Sequence, residues 1–444
     1  MAFLTLGCKV NAYETEGMKK QFREAGFDIC DFQEKADIYI INTCSVTNMA
    51  DRKSRQMIHR ARKNNEQALV VATGCYVQAQ KEALLNEQKL DLVVGNNKKS
   101  EIVELVLAEL KQKEAEYERA RFEQDIIKEA EYEELMIENA GERTRAYIKV
   151  QDGCNQFCSY CIIPYVRGKI RSRKPEQVLL EVEGLAKKGY KEIVVTGIHL
   201  SSYGIDFEGG QDFTRYGGKP LLSLLSKLEK VEKIERIRLG SLEPRIITEE
   251  FLKELSKLEK VCPHFHLSLQ SGCDETLKRM NRKYTTAEYL EGCERIRSYY
   301  EHPAITTDVI AGFVGESEEE FETTRKFLEK VQFSDVHIFK YSRRNGTNAD
   351  RMEGHIGENI KTERSAKLIE LGLEMKKAYN EWLFGREQKV LFEEDVIVDG
   401  KEYVAGHNER YVKYLKPKTK ENIHNEIVTV TATKMLEDGT LLCG

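Results

Sequence analysis

The chain reads as an α/β protein that ends in a small all-β barrel. Three observations predict this. Short apolar runs alternate with polar, helix-favouring stretches through the first hundred residues, and again from residue 145 onward. Several of those runs end within a few residues of a cysteine. Past residue 384 the alternation gives way to period-two runs separated by polar turns. Alternating strand and helix signals favour parallel sheets, whereas closely spaced strands with polar turns favour a barrel or sandwich.

Residues 1–110 are expected to form a parallel α/β sandwich domain. Its strands are the runs 3–6, 37–41, 69–72 and 91–94, with helices such as 14–25 and 51–63 between them. Residues 111–139 are rich in glutamate with few apolar residues in register, and read as a connector. Six strands follow in residues 140–372, at 147–150, 192–195, 236–239, 266–269, 307–310 and 336–339. Six such units fit a partial (β/α)6 barrel, TIM-like and open on one side. Residues 373–444 read as a helical lead-in and an OB-like β-barrel with strands at 388–393, 402–414 and 426–434. No short internal repeat or low-complexity tract is present.

With 69 Lys+Arg against 74 Asp+Glu, the formal charge of −5 offers no global attraction for nucleic acid, so RNA contacts must be local. The run Arg167 to Lys174 and the stretch 410–420 are the two basic patches. From them, Arg167, Lys169, Arg171, Arg173, Arg410, Lys413 and Lys416 are expected to contact RNA. Tyr403, His407, Tyr411 and Tyr414 interleave with the second patch, either as base-stacking aromatics or as barrel core. No apolar run approaches membrane-spanning length, and no secretory leader precedes Leu6-Gly7-Cys8, so the expected location is cytoplasmic. Eleven cysteines without a leader then argue for metal ligation in a reducing compartment rather than disulfides.

Cys154, Cys158 and Cys161 stand in C-x3-C-x2-C spacing with no fourth cysteine nearby. Three thiolates can hold three irons of a [4Fe-4S] cluster and leave one iron open, where ordinary clusters take four protein thiolates. Zinc sites more often come from separated pairs. Cys8, Cys44 and Cys75 each follow a predicted strand, and open α/β sheets gather ligands beyond the carboxyl ends of their strands. Three distant cysteines are thereby expected to converge as a second cluster site. His264 and His266 alternate onto one strand face, as metal ligands or as rim residues supporting a pocket. Cys30, Cys262, Cys273, Cys293 and Cys443 have no ligand spacing and read as small buried residues.

Several segments carry a resemblance. They are Leu6-Gly7-Cys8-Lys9-Val10-Asn11, Ile41-Asn42-Thr43-Cys44-Ser45-Val46-Thr47, Thr73-Gly74-Cys75-Tyr76 and the central cysteine triplet. Further ones are Thr196-Gly197-Ile198-His199, Gly240-Ser241-Leu242-Glu243-Pro244, His266 through Gly272, and Tyr341 through Thr347. Over essentially its whole length the chain resembles methylthiotransferases of the radical S-adenosylmethionine superfamily, and its β tail resembles the RNA-binding TRAM domain. Lys9-Val10-Asn11, Cys262 through His266 and Thr196 through His199 are similar to the branch that acts on threonylcarbamoyladenosine at position 37, beside the tRNA anticodon. Val314 stands where this family usually has proline.

The resemblance implies two [4Fe-4S] clusters and S-adenosyl-L-methionine. The cluster on Cys154, Cys158 and Cys161 would bind S-adenosylmethionine and generate a 5′-deoxyadenosyl radical. The auxiliary one on Cys8, Cys44 and Cys75 would carry the sulfur, methylated from a second S-adenosylmethionine. An aromatic C–H has no leaving group, so the hard step must belong to cofactors rather than to a side-chain acid or base. Tyr160, Glu243, Ser268, Gln270 and Gly312 are the implied contacts to S-adenosylmethionine. Implied partners are the tRNA anticodon loop and an electron donor protein, with no DNA and no membrane. Two alternatives stay open: the same chemistry on isopentenyladenosine or on a ribosomal-protein aspartate, and a non-catalytic RNA-binding protein with structural zinc.

Overall fold

The computed structural model describes residues 1–80, 84, 89–112, 120–121, 126, 131–141 and 143–444. Five parallel strands open the chain, hydrogen-bonded in sequence order: β1 (Ala2–Thr5), β2 (Ile38–Thr43), β3 (Leu69–Gly74), β4 (Leu92–Val94) and β5 (Ala120–Arg121). Successive side chains of a strand point to opposite faces, so a sheet covered on both sides must be apolar throughout. Tyr39, Ile41, Val70 and Ala72 pack against Ile58 and Ala61 of the helix Asn48–Asn64. Ile38, Ile40, Leu69 and Val71 pack the other way, against Met18 and Phe22 of the helix Lys9–Glu24 and Leu105 of the helix Ile102–Gln112.

Much of the predicted connector lies outside the described residues, and β5 falls within it. Its far end is packed rather than loose. Leu135 and Ile137 are buried in the central core, where Tyr13 donates to the Leu135 carbonyl and the Ile137 amide donates to Glu181 at 2.6 Å.

The central unit holds β6 (Arg145–Asp152), the short antiparallel β7 (Arg171–Ser172), β8 (Glu192–Gly197), β9 (Arg236–Leu239), β10 (His264–His266), β11 (Ala304–Ala311) and β12 (Asp335–Lys340). They pair as β7-β6-β8-β9 and β10-β11-β12, and the bridges Ile237↔Val261 and Leu242↔Leu267 join the two groups. The result is the six-stranded partial barrel, with β7 added on the β6 edge. Val178, Leu224, Phe251 and Leu328 from the surrounding helices cover its outer face. Thr285 with Glu288 and Ser317 with Glu320 form capping boxes that start two of those helices.

Strand β10 ends at His266 and does not continue to residue 269. The Leu269 amide donates to the Thr307 hydroxyl (2.9 Å) instead of a neighbouring carbonyl, and Gln270 turns to φ +70°. A side-chain hydroxyl that replaces a ladder partner ends regular pairing.

The tail closes into a five-stranded barrel, β13-β14-β15-β17-β16. Its strands are β13 (Glu387–Val398), β14 (Lys401–Asn408), β15 (Lys413–Pro417), β16 (Ile427–Met435) and β17 (Leu441–Cys443). The single strand expected at 402–414 is two. Asn408 breaks it, its Oδ1 accepting from the amides of Arg410 (3.1 Å) and Val412 (2.9 Å) around a left-handed Tyr411. This barrel docks on the partial barrel through Arg145–Glu393 (2.8 Å) and through Arg236 and Arg238, which donate to carbonyls of Lys389, Asn408 and Glu409. Among the described residues no helix is long and apolar enough to cross a membrane.

Candidate active site

The first sheet delivers its cysteines as strand ends dictate. Cys8 stands between β1 and the helix Lys9–Glu24, Cys44 follows β2, and Cys75 opens the helix Cys75–Ala79 after β3. A Cβ on Gly7, at φ +98°, would sit 2.7 Å from the Cys44 sulfur, so only glycine lets the Cys8 loop come this close. Asn11 ties the two loops together, its Nδ2 donating to the carbonyls of Leu6 (2.8 Å) and Thr43 (2.9 Å). Cys8 opens to a cavity yet is ringed by protein atoms. Burial raises its thiol pKa, with Arg167 opposing and Cys75 adding. Burial likewise pushes Cys44 to about 11.

The central triplet follows β6. Gly153 (φ +72°) starts the loop, and a Cβ there would overlap the Lys169 carbonyl at 1.7 Å. The Cys154 amide donates to Gly168 O (3.0 Å), the Gln156 amide points at Cys154 Sγ (3.5 Å), and the Cys161 amide donates to Cys158 O (3.0 Å). Burial raises the thiols of Cys154, to about 12, and of Cys161, whose sister cysteines add to the effect. Cys161 leads into the helix Ile163–Arg167, whose Val166 packs on Cys75. One short helix therefore links the two cysteine sets.

The surroundings of both sets suit an anionic metal cluster. Arg282 donates to Cys158 Sγ (3.3 Å), Ser268 O and the Tyr284 hydroxyl, and pairs with no carboxylate among the described residues. Arg167 donates its Nε to Cys75 Sγ at 3.4 Å. It belongs to a buried network in which Glu14 and Asp152 face Lys99, Lys149, Arg167 and Arg171. With Glu133 also near Lys99 and Lys149, three carboxylates face four cations, and Arg167 puts positive charge beside Cys75. Buried guanidinium groups are costly without counter-charge. Thiolates ligating a metal supply such charge, because a coordinating thiol is deprotonated outright.

Between the three units lies a cavity of about 720 Å³. Its wall takes Cys8 and Lys9 from the first sheet, His264, His266, Asp308 and His337 from the barrel strands, and Arg410 to Lys413 from the tail. His266 Nε2 lies 3.3 Å from Asp308, and its Nδ1 lies 3.0 Å from Thr306 Oγ1. The rings of His266 and His337 stack at 5.9 Å. Tyr411 closes one end, ringed by His407, His264, Arg145 and Arg238. Its size matches pockets that hold small molecules.

Residues 148–328 match the Radical SAM superfamily, and residues 1–95 match Uncharacterized protein family UPF0004. A threonylcarbamoyladenosine tRNA methylthiotransferase, MtaB, from Bacillus subtilis is 40% identical over 98% of this chain and 94% of its own. The chain belongs to the radical SAM methylthiotransferase family. A tRNA-2-methylthio-N(6)-dimethylallyladenosine synthase from Thermoanaerobacter sp. is 35% identical over 88% of this chain and 81% of its own. Among solved structures, the radical S-adenosylmethionine methyltransferase TsrM from Kitasatospora setae superposes with a TM-score of 0.57 at 15% identity, covering 78% of this chain and 76% of that one. That likeness is one of fold. Radical SAM enzymes use [4Fe-4S] clusters and S-adenosylmethionine, and methylthiotransferases carry two clusters.

In this methylthiotransferase two of the residues expected to contact S-adenosylmethionine, Glu243 and Ser268, are linked to the triplet loop through arginines, and Tyr160 lies within that loop. Glu243 is buried and pairs with Arg245 (2.8 Å), whose Nη2 donates to Gln156 (3.1 Å) inside the cysteine loop. The Ser268 carbonyl accepts from Arg282 (3.1 Å), which also touches Cys158. Gln270 bridges to β11 through Asp308 O and Ile310 N. Gly312, at φ +70°, donates its amide to Glu316 (2.9 Å), and a Cβ there would press on Lys361 at 2.5 Å. Tyr160 packs edge-on to Phe313, in an apolar group with buried Val314. Sequence reading missed Arg282, Glu14, Asp152 and Lys149. Arg282 lies just past the end of the helix Asp274–Arg279 without a motif around it, and the others are ordinary charges until the fold brings them together.

The RNA expectation needs correction. Arg167, Arg171 and Arg173 are buried at 0–3% exposure, and Arg173 pairs with Glu181 (2.5 Å) and Glu134 (2.8 Å). Guanidinium groups enclosed by carboxylates inside the protein cannot reach a phosphate. Of that run, Lys169 is exposed. In the tail, Arg410 donates to the carbonyls of His302 and Glu301, so it holds the barrel in place; Lys413 lines the cavity, and Lys416 reaches Gly444 O (2.6 Å). Tyr414 is core, and Tyr411 belongs to the cavity wall.

Proposed function

We propose that this enzyme methylthiolates C2 of N6-threonylcarbamoyladenosine at position 37 of tRNA, giving 2-methylthio-N6-threonylcarbamoyladenosine. The observation that carries the reading is the pairing of two three-cysteine sets across the helix Ile163–Arg167, with Cys8 opening onto a nucleoside-sized cavity. The choice of base follows the relatives from Bacillus subtilis and Aquifex aeolicus named for threonylcarbamoyladenosine, each 40% identical, over that from Thermoanaerobacter sp. named for dimethylallyladenosine, at 35%.

In this reading Cys154, Cys158 and Cys161 hold the cluster that binds S-adenosylmethionine, and Cys8, Cys44 and Cys75 hold the second. When bound, the first supplies reductive cleavage of S-adenosylmethionine and the second supplies sulfur. The protein's own part is charge and position. Arg282 and Arg167 face the thiolates as counter-charges, and the Glu243–Arg245–Gln156 chain fixes the triplet loop. Glu243, Ser268, Gln270, Gly312 and Tyr160 line the approach to that loop as contacts for S-adenosylmethionine. The cavity walls exclude bulk water around the base. The remaining partners are the anticodon loop, with Lys169, Lys413 and Lys416 toward its phosphates, and an electron donor protein in the cytoplasm.

The test is nucleoside mass spectrometry on bulk tRNA from cells with and without the gene. Loss of 2-methylthio-N6-threonylcarbamoyladenosine, with the isopentenyl counterpart intact, is the expected result. Persistence of the first nucleoside rules the reading out.

A further inference from the structure

Lys9 follows Cys8 directly and lines the cavity, yet its ammonium has no hydrogen bond or ion pair among the described residues. Two other cations of the wall are engaged: Lys376 with Asp335 (3.4 Å), and Arg410 with backbone carbonyls. His264, 6% exposed, lines the same cavity. Its Nε2 meets Thr306 Oγ1 at 3.3 Å, while its Nδ1 is buried without a partner. Burial, with Arg238, His266 and Lys9 adding, keeps this ring neutral. A buried nitrogen without a partner lowers stability unless something fills the space beside it, and Lys9, exposed to solvent in the same wall, can reach a ligand there.

We propose that Lys9 and His264 form the receptor for the acyl side chain of the substrate base. The Lys9 ammonium takes the carboxylate of the threonylcarbamoyl group, and His264 Nδ1 takes its hydroxyl or carbamoyl hydrogen bond. The assignment rests on the reading above and adds what tells that base from its relatives. An isopentenyl chain is pure hydrocarbon; it would displace water from both groups and return nothing, which is how a polar site rejects an apolar analogue. Placement agrees. On adenine, C2 and the carbon that bears N6 flank the same ring nitrogen, so the group to be recognised and the carbon to be modified share one edge. In the chain, Lys9 and Cys8 are neighbours.

Binding without turnover tests this. Fluorescence anisotropy would compare full-length reconstituted enzyme, anaerobic and without reductant, on anticodon stem–loops that differ only at position 37. The position carries adenosine, threonylcarbamoyladenosine, its methyl ester or isopentenyladenosine. Wild type is expected to prefer threonylcarbamoyladenosine to adenosine by about 10- to 100-fold, the worth of one or two hydrogen bonds to charged groups. The ester, lacking the charge but keeping the group that meets His264, should fall between the acid and adenosine. Lys9→Met should lose the preference, Lys9→Arg should keep much of it, and Lys413→Met should weaken all four RNAs alike. Iron and sulfide contents of the variants report on folding. An ester that wild type binds as tightly as the acid, or a Lys9→Met that keeps the full preference, overturns the assignment while the substrate reading stands. Wild type preferring isopentenyladenosine overturns the substrate reading and the assignment with it.

Discussion

Arg167 and Cys75 lie 92 positions apart, yet the Arg167 Nε comes within 3.4 Å of the Cys75 sulfur. The same guanidinium holds Glu14 (2.7 Å), Asp152 (3.1 Å) and Asn11 (2.7 Å). One side chain thus joins a cysteine loop of the first sheet to the β6 end of the partial barrel.

Removing that guanidinium should take from Glu14 and Asp152 the one partner that joins them to the Cys75 loop. Arg167→Met is expected to cost about 3–5 kcal/mol, the usual effect of breaking a buried ion pair from one side. Urea denaturation gives the stability. Iron analysis should show one cluster's worth of metal missing, with the central triplet still loaded.

The two cysteine sets should fail separately. Cys158→Ala is expected to abolish cleavage of S-adenosylmethionine. Cys44→Ala should leave cleavage intact and stop methylthio transfer. Product analysis by mass spectrometry after a single anaerobic incubation distinguishes them, and methylthiolated product from Cys44→Ala would defeat the second-cluster role.

The basic run 167–174 shows where sequence and structure part. Charges in a row usually mark a solvated face, but the acids that enclose these arginines, Glu14, Glu134 and Glu181, sit in other segments, Glu14 as far as 153 positions away. A local window reaches Glu181, eight positions from Arg173, but not Glu14 or Glu134. The strands, by contrast, were legible because β-branched runs such as Ile193-Val194-Val195 need no distant partner to reveal themselves. The cysteines were legible by place, since strand ends fix where their loops go. Lys9 and His264 were readable as residues, but their lack of partners is a property of the folded cavity alone.

Acid should loosen the same junction. Burial alone would raise the Glu14 carboxyl, but Arg167, Lys149 and Lys99 hold it well below the ordinary range. A depressed folded value gives stability that is present above the unfolded pKa of about 4.3 and is lost as pH falls toward the folded value. Denaturation midpoints should therefore drop below about pH 4. Glu14→Gln should be less stable at neutral pH and show a shallower acid decline.

Gly153→Ala tests how tightly the triplet loop is fitted. The added carbon meets the Lys169 carbonyl at 1.7 Å in a left-handed backbone, so the loop must move. The expected outcome is loss of the central cluster, seen as missing iron and missing cleavage of S-adenosylmethionine, with the auxiliary iron retained.

Tyr411→Ala should loosen the tail on the partial barrel. Its ring lies 4.8 Å from the Arg145 guanidinium and 4.9 Å from that of Arg238, and stacks on His407 at 4.7 Å. Truncating a half-buried packed aromatic costs less than the core value of about 3–5 kcal/mol, on the order of 1–3 kcal/mol. Limited proteolysis should then release the five-stranded barrel faster than from wild type.

The cavity wall is assembled from three parts of the fold, with Lys9 from one end of the chain and Tyr411 from the other. If the cavity selects the base as proposed, that choice is not a transplantable cassette. A chimera that borrows only its last barrel from an isopentenyladenosine-modifying relative would inherit a hybrid chamber, and a change near either terminus can retune a selection made in the middle.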